Sequence, residues 1–238
     1  MQWENYDAAL FDLDGVLTPT AEVHMRAWER MFTDFLAAHP SVSPYTEDDY
    51  FAHIDGKPRY EGVAALLGSR GIDLPHGSPE DPPTAQTVCG LGNRKNELFT
   101  QVLREDGITA YPGSLALLDH LEERGVAMAV VSSSRNAPEV LRAAGIDQRF
   151  PVLVDGTVAT AQRLPGKPRP DTYAYAAEQL GVPSSRAVVV EDAISGVQAG
   201  AAGDFGLVIG VDRGAGEQTL IDGGAEVVVR DLAELIGE

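Results

Sequence analysis

The chain has 238 residues, an apolar fraction of 44% and a formal net charge of −18. That length suits one large domain or two small ones with a proper core. The charge argues against nucleic acid and anionic membranes as partners, because phosphate-rich surfaces attract basic proteins, and the single cysteine, Cys89, rules out an internal disulfide. An acidic protein that handles an anionic substrate must gather positive charge locally, from a metal or from placed Lys and Arg, so the few basic residues are informative. The segment Met1–Asn5 lacks a basic and apolar leader, and no apolar run approaches the ~20 residues of a membrane span. The chain reads as cytoplasmic.

In chain order, residues 7–13 predict a short buried strand. Thr20 to Ala38 predicts an amphipathic helix, with Val23, Ala27, Met31 and Phe35 recurring at spacings of four. Residues 46–70 carry further helical periodicity, punctuated by Gly68, Gly71 and Pro75. Leu74 to Thr87 reads as a loop by its prolines and glycine, and Arg94 to Arg104 as a helix. No strand signal appears between residues 20 and 107.

After Tyr111-Pro112-Gly113 the texture changes. Helices are expected over Leu115–Arg124, Ala137–Ala144, Thr172–Leu180 and Ser195–Ala201, the first three each followed by a glycine that can close them. Strands are expected over Val126–Val131, Val152–Val154, Ala187–Val190, Leu207–Ile209 and Val227–Val229. Asp171 reads as the cap of the helix that follows it. Wholly apolar strands alternating with helices indicate a parallel sheet covered on both faces. The expected fold is thus α/β, a Rossmann-like parallel sheet core formed by residues 1–19 and 108–238. An α-helical cap domain, residues 20–107, is inserted after the first strand, above the strand end that carries Asp12 and Asp14.

Four motifs carry chemistry. Asp12-Leu13-Asp14-Gly15 follows the apolar run Ala8–Phe11. Side chains two apart on a strand point the same way, so both carboxylates reach one spot at the carboxyl edge of the sheet, where open α/β sheets bind ligands. One can serve as nucleophile and the other as general acid/base, and either can bind a hard cation such as Mg²⁺. Ser132 ends a strand, where a hydroxyl and free backbone N–H groups make a phosphate cradle. Lys167, held between Gly166 and two prolines, is a compact charge suited to a transferring phosphate. Glu191-Asp192 follows Ala187–Val190, and an acidic pair at the end of a buried strand suits metal ligation or its support.

Together these motifs resemble the haloacid dehalogenase superfamily of phosphatases and phosphotransferases, over nearly the whole chain. Within it the likeness is to the β-phosphoglucomutase-like members, on Asp12–Thr18, Thr20-Ala21-Glu22, His24, Arg26-Ala27-Trp28, Gly56 with Arg59, Arg94-Lys95-Asn96, Tyr111-Pro112-Gly113 and Ser132–Asn136. The resemblance implies that Asp12 takes up the phosphoryl group as an aspartyl phosphate and that Asp14 shuttles the proton of a sugar hydroxyl. It implies Mg²⁺ held by the carboxylates of Asp12 and Asp192 and the backbone carbonyl of Asp14, with Glu191 supporting through water. Ser132 and Lys167 then bind the transferring phosphate.

The same motifs serve a mutase and a phosphatase. A mutase must grip a bisphosphorylated sugar at both ends and exclude water. The resemblance assigns that second grip to Arg59 and Lys95 in the cap, with His24 also on the substrate side, and to Ser134, Arg135 and Asn136 in the core. The leading expectation is conversion of β-glucose 1-phosphate to glucose 6-phosphate. The alternatives are a Mg²⁺-dependent sugar-phosphate phosphatase and a non-catalytic sugar-phosphate binder. The partner is a small phosphorylated sugar, and a monomer is the default. Three features depart from the family pattern: Pro19 in place of an acidic residue, Arg135 in place of Lys, and a longer loop over Pro75–Thr87.

Overall fold

The computed structural model describes residues 1–54, 57 and 59–237, so Gly56 of the resemblance lies outside the described residues. Two compact units emerge, Met1–Thr20 with Ile108–Glu238, and Ala21–Gly107.

The first unit is built on six parallel strands: β1 (Ala8–Phe11), β2 (Ala127–Val131), β3 (Val152–Val154), β4 (Ala187–Glu191), β5 (Leu207–Val211) and β6 (Val227–Val229), in the order β3-β2-β1-β4-β5-β6. β1 lies between β2 and β4, so the strand order reverses beside it, and a ligand crevice opens at such a switch point. The register fixes which residues leave the sheet together: Phe11 pairs with Val130 on one side and Val190 on the other. Asp12, Ser132 and Asp192 therefore emerge at the same carboxyl edge.

β1 and β4 are wholly buried, as expected of central strands in a parallel sheet. Ala8, Leu10, Val131 and Val189 pack with Tyr173, Ala176 and Ala177 of the helix Asp171–Leu180 and with Ala199 of the helix Ile194–Ala201. Asp171 does not cap its helix as the sequence suggested. It is the first helical residue, Pro170 takes the cap position, and the Asp171 carboxylate accepts from Arg169 Nε at 3.3 Å. Two short helices, Gly156–Gln162 and Glu217–Gly223, were not expected from the sequence.

The second unit is helical, and no strand occurs among its described residues. Its helices are α1 (Thr20–Ala37), a turn at Glu47–Asp49 that runs into a π-helical turn at Tyr50–Ile54, α2 (Arg59–Ser69) and α3 (Val88–Asp106). Trp28, Met31, Phe32 and Phe35 of α1 meet Val63, Leu66 and Leu67 of α2 and Val88 and Leu91 of α3. α3 begins six residues before the expected Arg94. Gly90 and Gly92 disguised that start, and both are needed for close packing: a Cβ on either would run into Ala85 or Tyr60. No helix among the described residues is long and apolar enough to cross a membrane.

Candidate active site

The loop after β1 turns tightly. The Gly15 N–H donates to Thr18 O at 2.8 Å, and the N–H groups of Leu17 and Thr18 both donate to Leu13 O. Gly15 has φ +84°, and a Cβ there would strike the Asp192 carboxylate. Glycine thus admits the β4-end carboxylate to the loop that holds Asp12 and Asp14. Outer anchors fix the same loop. Ser114 Oγ, fully buried, donates to Val16 O at 2.8 Å, and the Tyr111 N–H donates to Leu17 O at 3.0 Å. Arg213 donates to Gly15 O at 2.7 Å and to Arg230 O at 3.0 Å while lying 4.0 Å over the Tyr111 ring.

Lys167 is the hub of the site. Its ammonium donates to Asp12 Oδ1 at 2.5 Å, to Glu191 Oε1 at 2.5 Å and to Val131 O at 3.1 Å, and sits 5.0 Å over the Tyr173 ring. Burial opposes its charge, but Asp12, Tyr173 and Glu191 overcome that and hold it well above the usual lysine value. Glu191 is almost wholly enclosed. Its Oε1 also accepts from Tyr173 Oη at 3.3 Å, and its Oε2 accepts from the Ala193 N–H at 2.8 Å. Both its oxygens are thus engaged by protein donors, which makes Glu191 the anchor of Lys167.

Burial pushes the Asp12 carboxyl well above the ordinary aspartate value. Lys167 pulls the other way, and Glu191, Asp14 and Asp192 add repulsion. Asp192 is pushed up to about 7 by burial and by the charges of Glu191 and Asp14. One ammonium does not offset four neighbouring carboxylates, so the donor set asks for a further cation. The set is all oxygen, which suits a hard divalent ion. Among the described residues no three Asp, Glu, His or Cys side chains form a ready cage. A small cation that keeps several waters and takes only two carboxylates fits such a set.

Ser132, nearly buried, follows β2, and its Oγ accepts from the Ser134 N–H at 3.1 Å. Ser134 Oγ accepts in turn from the Asn136 N–H at 3.1 Å, and the Gly156 N–H donates to Ser134 O. Arg135 is exposed, its stem against Gly156, and Asn136 takes the cap position of the helix Ala137–Ala143.

In the helical unit, His24, Lys95 and Arg59 form a second group. Lys95, 3% exposed, has its ammonium 2.5 Å from His24 Nδ1 and 5.1 Å from the Trp28 and Phe99 ring centroids. The His24 ring stacks on Phe99 at 4.3 Å. Burial, then the charges of Lys95 and Arg59, hold His24 well below the usual histidine value, so it presents a neutral acceptor to Lys95. Arg59 Nη2 donates to Asn96 Oδ1 at 2.9 Å.

Sequence reading missed Tyr173, Ser114 and Arg213. Tyr173 sits on an ordinary amphipathic helix and gives no local signal. Arg213 was within reach, since it lies just past the apolar run Leu207–Val211, as Asp12 and Glu191-Asp192 lie at the ends of theirs.

A family model for haloacid dehalogenase-like hydrolases matches residues 6–204. The chain belongs to the haloacid dehalogenase-like hydrolase family. This family member is 46% identical over 242 residues to the β-phosphoglucomutase of Mycobacterium tuberculosis, covering 98% of the chain and 92% of that relative. It is 32% identical to the β-phosphoglucomutase of Bacillus subtilis, covering 96% and 91%. A crystal structure of a Thermotoga maritima protein assigned as a β-phosphoglucomutase superposes with a TM-score of 0.76 at 27% identity, covering 96% of each chain. The haloacid dehalogenase-like chain is accordingly β-phosphoglucomutase-like, and an enzyme of the phosphotransferase and phosphatase type.

Proposed function

We propose that the enzyme is a β-phosphoglucomutase that converts β-glucose 1-phosphate to glucose 6-phosphate through a phosphorylated Asp12. The observation that carries the reading is the Asp12 carboxylate gripped by Lys167 at 2.5 Å in a buried acidic cluster at the end of β1. Near full-length identity of 46% to a β-phosphoglucomutase supports the choice of reaction.

In this reading one Asp12 oxygen attacks phosphorus as the phosphate–oxygen bond to the departing group breaks. Asp14 gives a proton to the departing oxygen, then takes one from the sugar hydroxyl as that hydroxyl attacks phosphorus and the bond from phosphorus to Asp12 breaks. Lys167 and the Ser132 hydroxyl hold the phosphoryl oxygens, and Glu191 keeps Lys167 in place. Mg²⁺ would be held by the carboxylates of Asp12 and Asp192 and the backbone carbonyl of Asp14, and would supply the missing positive charge. Such a transfer depends on positioning and charge neutralisation more than on covalent chemistry. Arg59, Lys95 and His24 of the helical unit, acting as the cap, and Ser134, Arg135 and Asn136 of the core recognise the sugar and its second phosphate. Arginine is well shaped to take a phosphate with two parallel hydrogen bonds.

The test is incubation with β-glucose 1-phosphate, Mg²⁺ and a trace of glucose 1,6-bisphosphate. Glucose 6-phosphate should accumulate with little free phosphate. Phosphate released in step with substrate loss would overturn the mutase reading in favour of a phosphatase.

A further inference from the structure

The loop over Leu74–Thr87 is built rather than slack, and it is wired to Arg59. Thr87 caps α3 by accepting from the Gly90 N–H at 2.9 Å, while Pro75 O and His76 O accept from the N–H groups of Val88 and Cys89 at 3.0 Å. The loop thereby satisfies the donors that a helix start leaves over. Inside it the Asp81 carboxylate accepts from Thr87 Oγ1 at 2.6 Å and from the Ser78 N–H at 3.1 Å. Asn93, on the first turns of α3, donates its amide to Pro79 O at 3.0 Å and Asp81 O at 2.8 Å. Its Oδ1 faces the other way and accepts from Tyr60 Oη at 2.9 Å.

Tyr60 directly follows Arg59 at the start of α2. Asn93 and Asn96 are three apart on α3 and so share a face. Two parallel rungs result, Tyr60 to Asn93 and Arg59 to Asn96. Between them α3 comes so close that a Cβ on Gly92 would lie 2.6 Å from Tyr60 Cδ1 and 3.3 Å from Arg59 Cδ. Arg59 is thus held directly by Asn96, and the helix turn that carries it is tied through Tyr60 and Asn93 to the loop.

We propose that Asn93 and Tyr60 are positioning residues that transmit the shape of the 74–87 loop to Arg59, making the loop a specificity element. The inference rests on the reading that Arg59 holds the second phosphate of the substrate. The test compares the wild type with Asn93→Ala, Tyr60→Phe and Arg59→Ala in the mutase assay. Tyr60→Phe loses one neutral hydrogen bond and should raise KM about threefold to tenfold; Asn93→Ala loses three, to Tyr60, Pro79 O and Asp81 O, and should raise it at least as much, with kcat within about twofold in both. Tyr60→Phe keeps the ring against Gly92, so an intact fold is preserved there even if Asn93→Ala loosens the loop.

An Arg59→Ala variant with raised KM beside an unchanged Tyr60→Phe overturns the inference alone. So does a fall in kcat with KM unchanged in Tyr60→Phe. An unchanged KM in Arg59→Ala overturns the assignment of Arg59 to the second phosphate, and the inference with it. If the wild type does not turn the sugar phosphate over, the proposed reaction is at fault. The same comparison is then read as Kd for glucose 1,6-bisphosphate by calorimetry, with the same fold-changes deciding it.

Discussion

Replacing Lys167 with methionine keeps an apolar stem of similar length and removes the one ammonium shared by Asp12 and Glu191. Those residues are 7% and 1% exposed, and each accepts from Lys167 at 2.5 Å. Breaking a buried ion pair by deleting one partner costs about 3–5 kcal/mol, because the remaining charge has neither water nor a counter-ion. For a chain of this length that corresponds to a fall in Tm of about 6–20 °C. The penalty must depend on pH. Asp12 already has its carboxyl raised above the unfolded value by burial, with Lys167 the opposing influence, so the variant raises it further. As pH climbs past about 4 the unfolded chain releases the proton while the folded one retains it, so stability falls with rising pH. Urea titrations followed by circular dichroism, with chelator present, should show a small penalty near about pH 4.5 and the full one near about pH 8. A penalty below about 1 kcal/mol at the higher pH, or one equal at both, would refute the account of Lys167 as the charge that makes the buried carboxylates tolerable.

Mg²⁺ should raise the melting temperature of the wild type more at about pH 8 than at about pH 5. Asp192, pushed up to about 7, must lose its proton to act as a ligand; equal shifts at both values would count against that residue as a ligand. His24 is held well below the usual histidine value by burial and then by Lys95 and Arg59. The unfolded chain binds a proton there first as pH falls below about 6.5, so that site withdraws up to about 1.4 kcal/mol of stability per pH unit. The raised carboxyls of Asp12 and Asp192 act in the opposite direction over the same range and are common to both proteins, so the difference in unfolding free energy between the wild type and His24→Gln, from urea titrations, should carry this slope; a difference independent of pH would refute it. Arg213→Ala should lower kcat about threefold to tenfold through loss of the brace on Gly15 O, leaving the stability of the helical unit unchanged. A kcat equal to wild type would remove Arg213 from the positioning of the loop.

Much of the fold was legible because a parallel sheet buried on both faces demands wholly apolar strands, and Ala8–Phe11 and Ala187–Val190 are such runs. The same logic exposed the site, since a charged residue directly after a buried strand has few reasons to be there. Asp12 and Glu191-Asp192 stood out in this way. What failed did so for local reasons. Gly90 and Gly92 hid the start of α3 because they serve the contacts with Ala85 and Tyr60 and not the helix itself. Asp171 looked like a cap, but Pro170 already occupied that position.

By itself the sequence determined the class of the fold, the residue types gathered at the strand ends and the phosphoryl-transfer chemistry they suit, because these depend on local pattern and order along the chain. Only the tertiary structure decided how those residues divide the work around Lys167. In sequence Glu191 read as a metal ligand or a support for one; in the fold its two oxygens accept from Lys167, Tyr173 and the Ala193 N–H. Tyr173 and Arg213 join the site, and Asn93 ties the 74–87 loop to Tyr60 beside Arg59, through contacts between residues far apart in the chain. Such contacts follow from strand order and helix packing, which no local pattern encodes.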